Sequence, residues 1–90
     1  MLIVRKTKSF QKDIKLAKKR NLNLKELDTV VHSLAREEKL DQKYKDHPLG
    51  GDYLGFRECH IKPDWLLIYR VDKKMIELIL FRTGTHSDIF

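Results

Sequence analysis

Between two turn signals, Lys62-Pro63-Asp64 and Asp72-Lys73-Lys74, the chain runs Trp65-Leu66-Leu67-Ile68-Tyr69-Arg70-Val71 with a single charged residue. An alternating strand hides one face and wets the other. A run that is apolar on both faces belongs at the centre of a sheet, with other parts of the molecule above and below it. Pro63 sits where a turn favours it, so the run starts from a tight reversal. The remainder of the chain therefore has to supply neighbouring strands and cover for both faces.

The neighbours are legible. Phe56–Ile61 alternates, placing Cys59 and Ile61 on one face and Glu58 and His60 on the other. Met75–Arg82 reads as a final strand and Leu2-Ile3-Val4 as a short first one. From Thr7 to Arg20 the period becomes helical: Phe10, Ile14 and Ala17 share a face, with Lys8, Lys12, Lys15 and Lys19 opposite. Thr7 or Ser9 caps this helix. A second helix starts at Asn23, with Glu26 in capping-box position, carries the stripe Leu24, Leu27, Val30, Val31, Leu34 and Ala35, and fades near Glu38. His32 lies outside the stripe and is expected at the surface. Residues 39–55 are polar, contain Pro48, Gly50, Gly51 and Gly55, and read as a long loop of the kind that often carries function. The order β-α-α-β-β-β predicts one α+β domain over residues 1–90, with two N-terminal helices packed on one face of a mostly antiparallel sheet. The helical hairpin suggests a first strand antiparallel to the last and beside it. Two helices cover one face only, so a partner segment is expected over part of the other face or over an active cleft.

No apolar run approaches the roughly 20 residues that span a bilayer, and the first ten residues lack a signal-peptide pattern. A lone cysteine, Cys59, suits a reducing compartment, and the expectation is a small cytoplasmic protein. The net charge of +6 is unevenly placed: residues 1–20 hold eight Lys and Arg against Asp13 alone, while residues 21–90 are nearly balanced. Lys8, Lys12, Lys15, Lys18 and Lys19 therefore make a docking surface for a polyanion such as RNA.

Four histidines invite a metal, but no C-x-x-C or H-x-x-x-H spacing is present, and Cys59 and His60 point to opposite faces of their strand. Neither a metal nor another cofactor is expected. Cys59 lies on an apolar face, where an inert thiol is the default. What remains is a polar set at the strand ends: His47, His60, Asp64, Arg82 and His86. Imidazoles supply acid and base near neutral pH, and a fixed cation steadies developing negative charge. Trp65, Tyr53, Phe56 and Phe90 are aromatic surfaces on which a base can stack. This inventory suits RNA cleavage through the ribose 2′-hydroxyl. A non-catalytic RNA- or DNA-binding module explains the lysines but not the histidines, and a protein-binding adaptor or an occupancy-only blocker of translation are the other readings.

Three stretches, "YKDHPLGG", "FRECHIKPDWLLIY" and "FRTGTHSDIF", resemble the YafQ-like branch of the RelE superfamily, the toxin halves of bacterial toxin–antitoxin pairs. The resemblance extends over nearly the whole chain. It implies a ribosome-dependent mRNA endoribonuclease neutralised by a small antitoxin. It also implies a catalytic cluster at His47, His60, Asp64 and His86, with Arg82, Trp65 and Phe90 positioning or stabilising the RNA. On that reading the basic helix docks on ribosomal RNA, apart from the cleavage site.

Overall fold

The computed structural model describes residues 1–90. Its elements are β1 (Ile3–Lys6), α1 (Lys8–Lys19), α2 (Leu24–Ala35), β2 (His47–Pro48), β3 (Arg57–Lys62), β4 (Trp65–Asp72), β5 (Glu77–Gly84) and α3 (His86–Ile89). The strands form one sheet in the order β1-β5-β4-β3-β2, with β4 at its centre as its apolar run demands. β2–β3, β3–β4 and β4–β5 are antiparallel.

β1 does lie beside β5, but parallel to it, with Ile3 opposite Glu77 and Lys6 opposite Leu80. The antiparallel expectation miscounts reversals. The helical pair returns the chain to the start of β1, where the Leu2 amide donates to the Ala35 carbonyl at 2.7 Å. β3 thus leaves in β1's direction, and two hairpins restore that direction in β5.

Both helices close as their sequences direct. Thr7 is the N-cap of α1 and its hydroxyl accepts from the Phe10 amide. Asn23 caps α2, its side chain accepting from the Lys25 amide. Glu26 forms no capping box and reaches instead for the Tyr44 hydroxyl at 3.3 Å and Lys62 at 4.0 Å. α2 stops at Ala35, three residues before Glu38, because Glu37 takes a positive φ of 58° and the Glu38 amide turns back to Ser33.

The helices bury Phe10, Ala17, Leu27, Val30, Leu34 and Ala35 against Cys59, Ile61, Trp65, Leu67, Tyr69, Leu78 and Leu80. Each large side chain contributes roughly 1.5–3 kcal/mol relative to exposure. The chain itself covers part of the opposite face. Leu66, Ile68 and Ile89 pack with Leu49, Phe56 and Phe81. The long loop is built rather than slack, with short 3₁₀ turns at Gln42–Tyr44 and Gly51–Tyr53 flanking β2.

Candidate active site

His47 and His60 come together on the sheet face away from α1 and α2. On β3, Cys59 and Ile61 enter the helix-side core, so Glu58 and His60 point the other way. β2 sets His47 directly opposite Glu58. The His47 and His60 ring centroids lie 6.3 Å apart. Glu58 stands between them with Oε2 at 3.1 Å from His47 Nε2 and 3.7 Å from His60 Nε2. The remaining ring nitrogens face carbonyls: His47 Nδ1 is 2.6 Å from the Lys45 oxygen, and His60 Nδ1 is 3.4 Å from that of Pro63.

His47 is held by what precedes it. Lys45 adopts a left-handed backbone (φ 50°), which aims its carbonyl at the ring. Asp46 accepts from the Tyr69 hydroxyl at 2.5 Å and from the Arg57 guanidinium at 3.2 Å. Burial first, and then the Asp46 carboxylate, push the Tyr69 hydroxyl's pKa upward, so it remains a donor. A strand buried on both sides thereby fixes the segment that carries His47.

Across the face, His60, Leu66 and Gly84 are in register on adjacent strands, so His60 and Gly84 lie about 10 Å apart. Beyond Gly84 the chain forms α3, a helix absent from the expected β-α-α-β-β-β order. Thr85 and Asp88 make a reciprocal capping box, and Asp88 also receives Arg20 at 2.7 Å. This helix stacks His86 on Phe90, centroids 4.9 Å apart, and Phe90 meets Tyr53 edge-on at 5.0 Å. Tyr53 in turn meets Phe56 and Phe81, so one aromatic wall joins the loop to α3.

Arg82 is clamped. Its Nε and one terminal nitrogen donate to Asp13 of α1 at 2.7 and 3.1 Å, and the latter also reaches the Asp88 carbonyl at 3.4 Å. The Asp13 hydrogen bond raises the guanidinium's pKa further still. The clamp occupies Nε and Nη2 and leaves the two hydrogens of Nη1 for an anion. Asp13 also accepts from the Thr83 amide at 3.0 Å. Sequence reading registers it only as one acid in a basic segment.

Two expected members stand elsewhere. Trp65 is buried, 3% exposed, in the helix-side core, and its indole nitrogen donates to Thr83 Oγ1 at 2.8 Å. In this position it offers no face to an RNA base. Asp64 is exposed at the β3–β4 turn and borders, with Trp65, Thr85 and Asp88, a hollow beside α1. Lys8, Lys12, Lys15, Lys18 and Lys19 are all exposed. Burial pushes the Cys59 thiol up to about 12, which makes it a core group. No three His, Cys, Asp or Glu side chains are arranged to hold a metal ion. No helix is long and apolar enough to cross a membrane.

Comparison with known proteins identifies the chain's relatives. Residues 2–90 match the family described as "Bacterial toxin of type II toxin-antitoxin system, YafQ". The mRNA interferase toxin YafQ of Escherichia coli K12 is 40% identical over 82 residues, covering 90% of this chain and 87% of that protein. The crystal structure of a metal-bound toxin from Helicobacter pylori superposes with a TM-score of 0.95 at 49% identity, covering all of both chains. YafQ in the E. coli DinJ–YafQ complex gives 0.91 at 37% identity, covering 100% of this chain and 99% of that one.

Proposed function

The chain belongs to the YafQ family of type II toxin–antitoxin toxins, and we propose that it cleaves mRNA on the ribosome by metal-free acid–base chemistry, arresting translation. The observation that carries this reading is the convergence of His47 and His60 on one sheet face, with Arg82, His86 and Phe90 at its far side. In the proposed reaction an imidazole removes the proton of a ribose 2′-hydroxyl. The 2′-oxygen bonds to the adjacent phosphorus as the P–O5′ bond breaks, and a second group returns a proton to the departing 5′-oxygen. The products are a 2′,3′-cyclic phosphate and a 5′-hydroxyl. Arg82's Nη1 steadies charge on the phosphate, and His86 on Phe90 presents an imidazole from the opposite side.

Asp64, on the exposed β3–β4 turn beside the α1 hollow, is assigned a contact with RNA rather than with the other acid–base groups. The lysines of α1 dock on ribosomal RNA. A cognate antitoxin protein restrains the toxin, in line with the E. coli relative's complex, and the setting is the cytoplasm. Single-turnover cleavage on programmed ribosomes tests the mechanism. Cutting should require a 2′-hydroxyl at the scissile position and leave a cyclic phosphate. It should also survive a divalent chelator while the ribosome is kept intact by polyamine. Efficient cutting at a 2′-deoxy position would refute it.

A further inference from the structure

We infer that Lys43, Lys45 and Lys62 form a backbone-phosphate subsite beside His60, which holds the RNA strand at a linkage flanking the one that is cut. The inference deepens the nuclease reading and rests on it.

The subsite lies where the sheet is left open. β2 pairs with β3 only at Arg57 and Glu58, so the outer edge of β3 has no strand beside it from Cys59 onward. The short turn Gln42–Tyr44 stands across that edge and leaves a hollow of about 380 Å³. His60 forms part of its wall, so the hollow opens on an imidazole of the proposed cleavage centre. Ligand pockets span roughly 300–1,000 Å³, and this one suits a nucleotide unit rather than a folded partner.

The lining selects an anion. Lys43, Lys45 and Lys62 surround the hollow, with Glu26 the single carboxylate. Glu26 is engaged by the Tyr44 hydroxyl at 3.3 Å and stands 4.0 Å from Lys62, at the limit of an ion pair. Lys43 and Lys45 take part in none of the molecule's ion pairs. Three exposed ammonium groups around one hollow repel one another until an anion enters. Two of them are placed by their surroundings. Lys43 Nζ rests over the Tyr44 ring, 5.1 Å from its centroid. Lys45 has the left-handed backbone that turns its carbonyl to His47, so one residue serves both the hollow and the histidine pair.

Lysine is a point charge without arginine's planar fork, so this trio holds phosphate and reads no base. Tyr44 and Ile61 are 9% and 3% exposed, which leaves Pro63 as the apolar surface a protein partner would find there. A protein interface draws its affinity from larger anchors. RNA backbone is therefore the occupant. The trio acts apart from the lysines of α1: its loss loosens mRNA in the site and leaves docking on ribosomal RNA intact.

The test compares the wild type with a Lys43→Gln/Lys62→Gln double variant on ribosomes programmed with short mRNAs. Both side chains are exposed, so the core is kept, and Lys45 stays because its backbone carries the His47 contact. Binding is measured first, with 2′-deoxyribose at the scissile position so that nothing is cut. The variant should bind programmed ribosomes about tenfold more weakly, and ribosomes without mRNA as the wild type does. In single-turnover cleavage the toxin concentration at half-maximal rate should rise by a similar factor with the maximal rate nearly kept, the mark of lost uniform binding. A neutral methylphosphonate is then moved through the linkages on either side of the scissile one. At one linkage it should weaken the wild type about tenfold and the double variant hardly at all, because that contact is already gone. Additive losses at every linkage overturn the proposal. So does a variant that binds programmed ribosomes normally and loses affinity for the cognate antitoxin instead. If the wild type itself leaves mRNA uncut, the nuclease reading falls, and binding to the deoxy-substituted mRNA still decides the subsite.

Discussion

Trp65 shows how a single residue's surroundings outweigh its type. An aromatic next to a turn invites a stacking role, yet its indole lies in the helix-side core and donates to Thr83. The Thr83 hydroxyl in turn donates to the Leu66 carbonyl at 2.7 Å, so the indole is one end of a buried chain of hydrogen bonds. Trp65→Phe removes one donor and little volume. It should lower stability by about 1–2 kcal/mol in a denaturant melt and leave RNA affinity unaltered. Quenching of the native chain's lone tryptophan on direct stacking by RNA would show the reverse. Asp13 makes the complementary case. It touches no substrate in the proposed reaction, yet three donors converge on it, two from Arg82 and one from the Thr83 amide. Asp13→Ala should free the guanidinium to wander and cut the cleavage rate by about tenfold or more, through loss of positioning. A variant that cleaves at the full rate would show that Arg82 needs no clamp.

Among the elements, α3 is the most exposed to solution conditions. Four residues are too few for a helix to persist by itself, and this one depends on the Thr85–Asp88 box and the Arg20–Asp88 pair. The Arg20 hydrogen bond, followed by the Thr85 amide, holds the Asp88 carboxyl well below the usual carboxylate range. A depressed carboxyl contributes stability that is fully present above its unfolded value, about 3.9, and is lost as pH falls through the folded one. Acidification below about pH 4 should therefore loosen α3 progressively, read as lost amide protection at Asp88 and Phe90. Arg20→Ala should move that loss to higher pH; unchanged behaviour would detach the pair from α3. The same elements show what the sequence could disclose. The β4 run, the two amphipathic helices and their caps rest on local periodicity, and local periodicity is printed in the chain. Arg82 and Asp13 are 69 residues apart, so their meeting depends on how α1 crosses the sheet. Glu58 and His60 share a face by simple alternation, but Glu58's isolation from every lysine is a property of the folded sheet. The cover over the second face, drawn from Leu49 and Phe56 in loops, Phe81 in β5 and Ile89 in α3, has no single period to read.

The proposed function gives the whole molecule two working sides. The outer surface of the helix layer carries the exposed lysines, and the histidine cluster opens from the far face of the sheet. Reversing Lys8, Lys12 and Lys15 to Glu should weaken ribosome binding and flatten its salt dependence, since that dependence counts phosphate contacts. His86→Ala should spare binding and lose about 10²–10⁴-fold in cleavage. Equal binding defects in both would merge the two sides into one. The parallel pairing of β1 with β5 reaches further, into how the protein is made. Residues 3–6 wait for residues 77–80 before they gain a neighbour, and β4 gains its second neighbour from the same strand. A nascent chain lacking β5 has helices and a hairpin but no closed sheet, no Arg82 clamp and no α3. Its own ribosome, the very machine it is proposed to attack, is thus shielded by the order of synthesis. Chains stalled before residue 77 should be cut readily by a protease and leave mRNA intact, and both properties should change together once β5 has emerged.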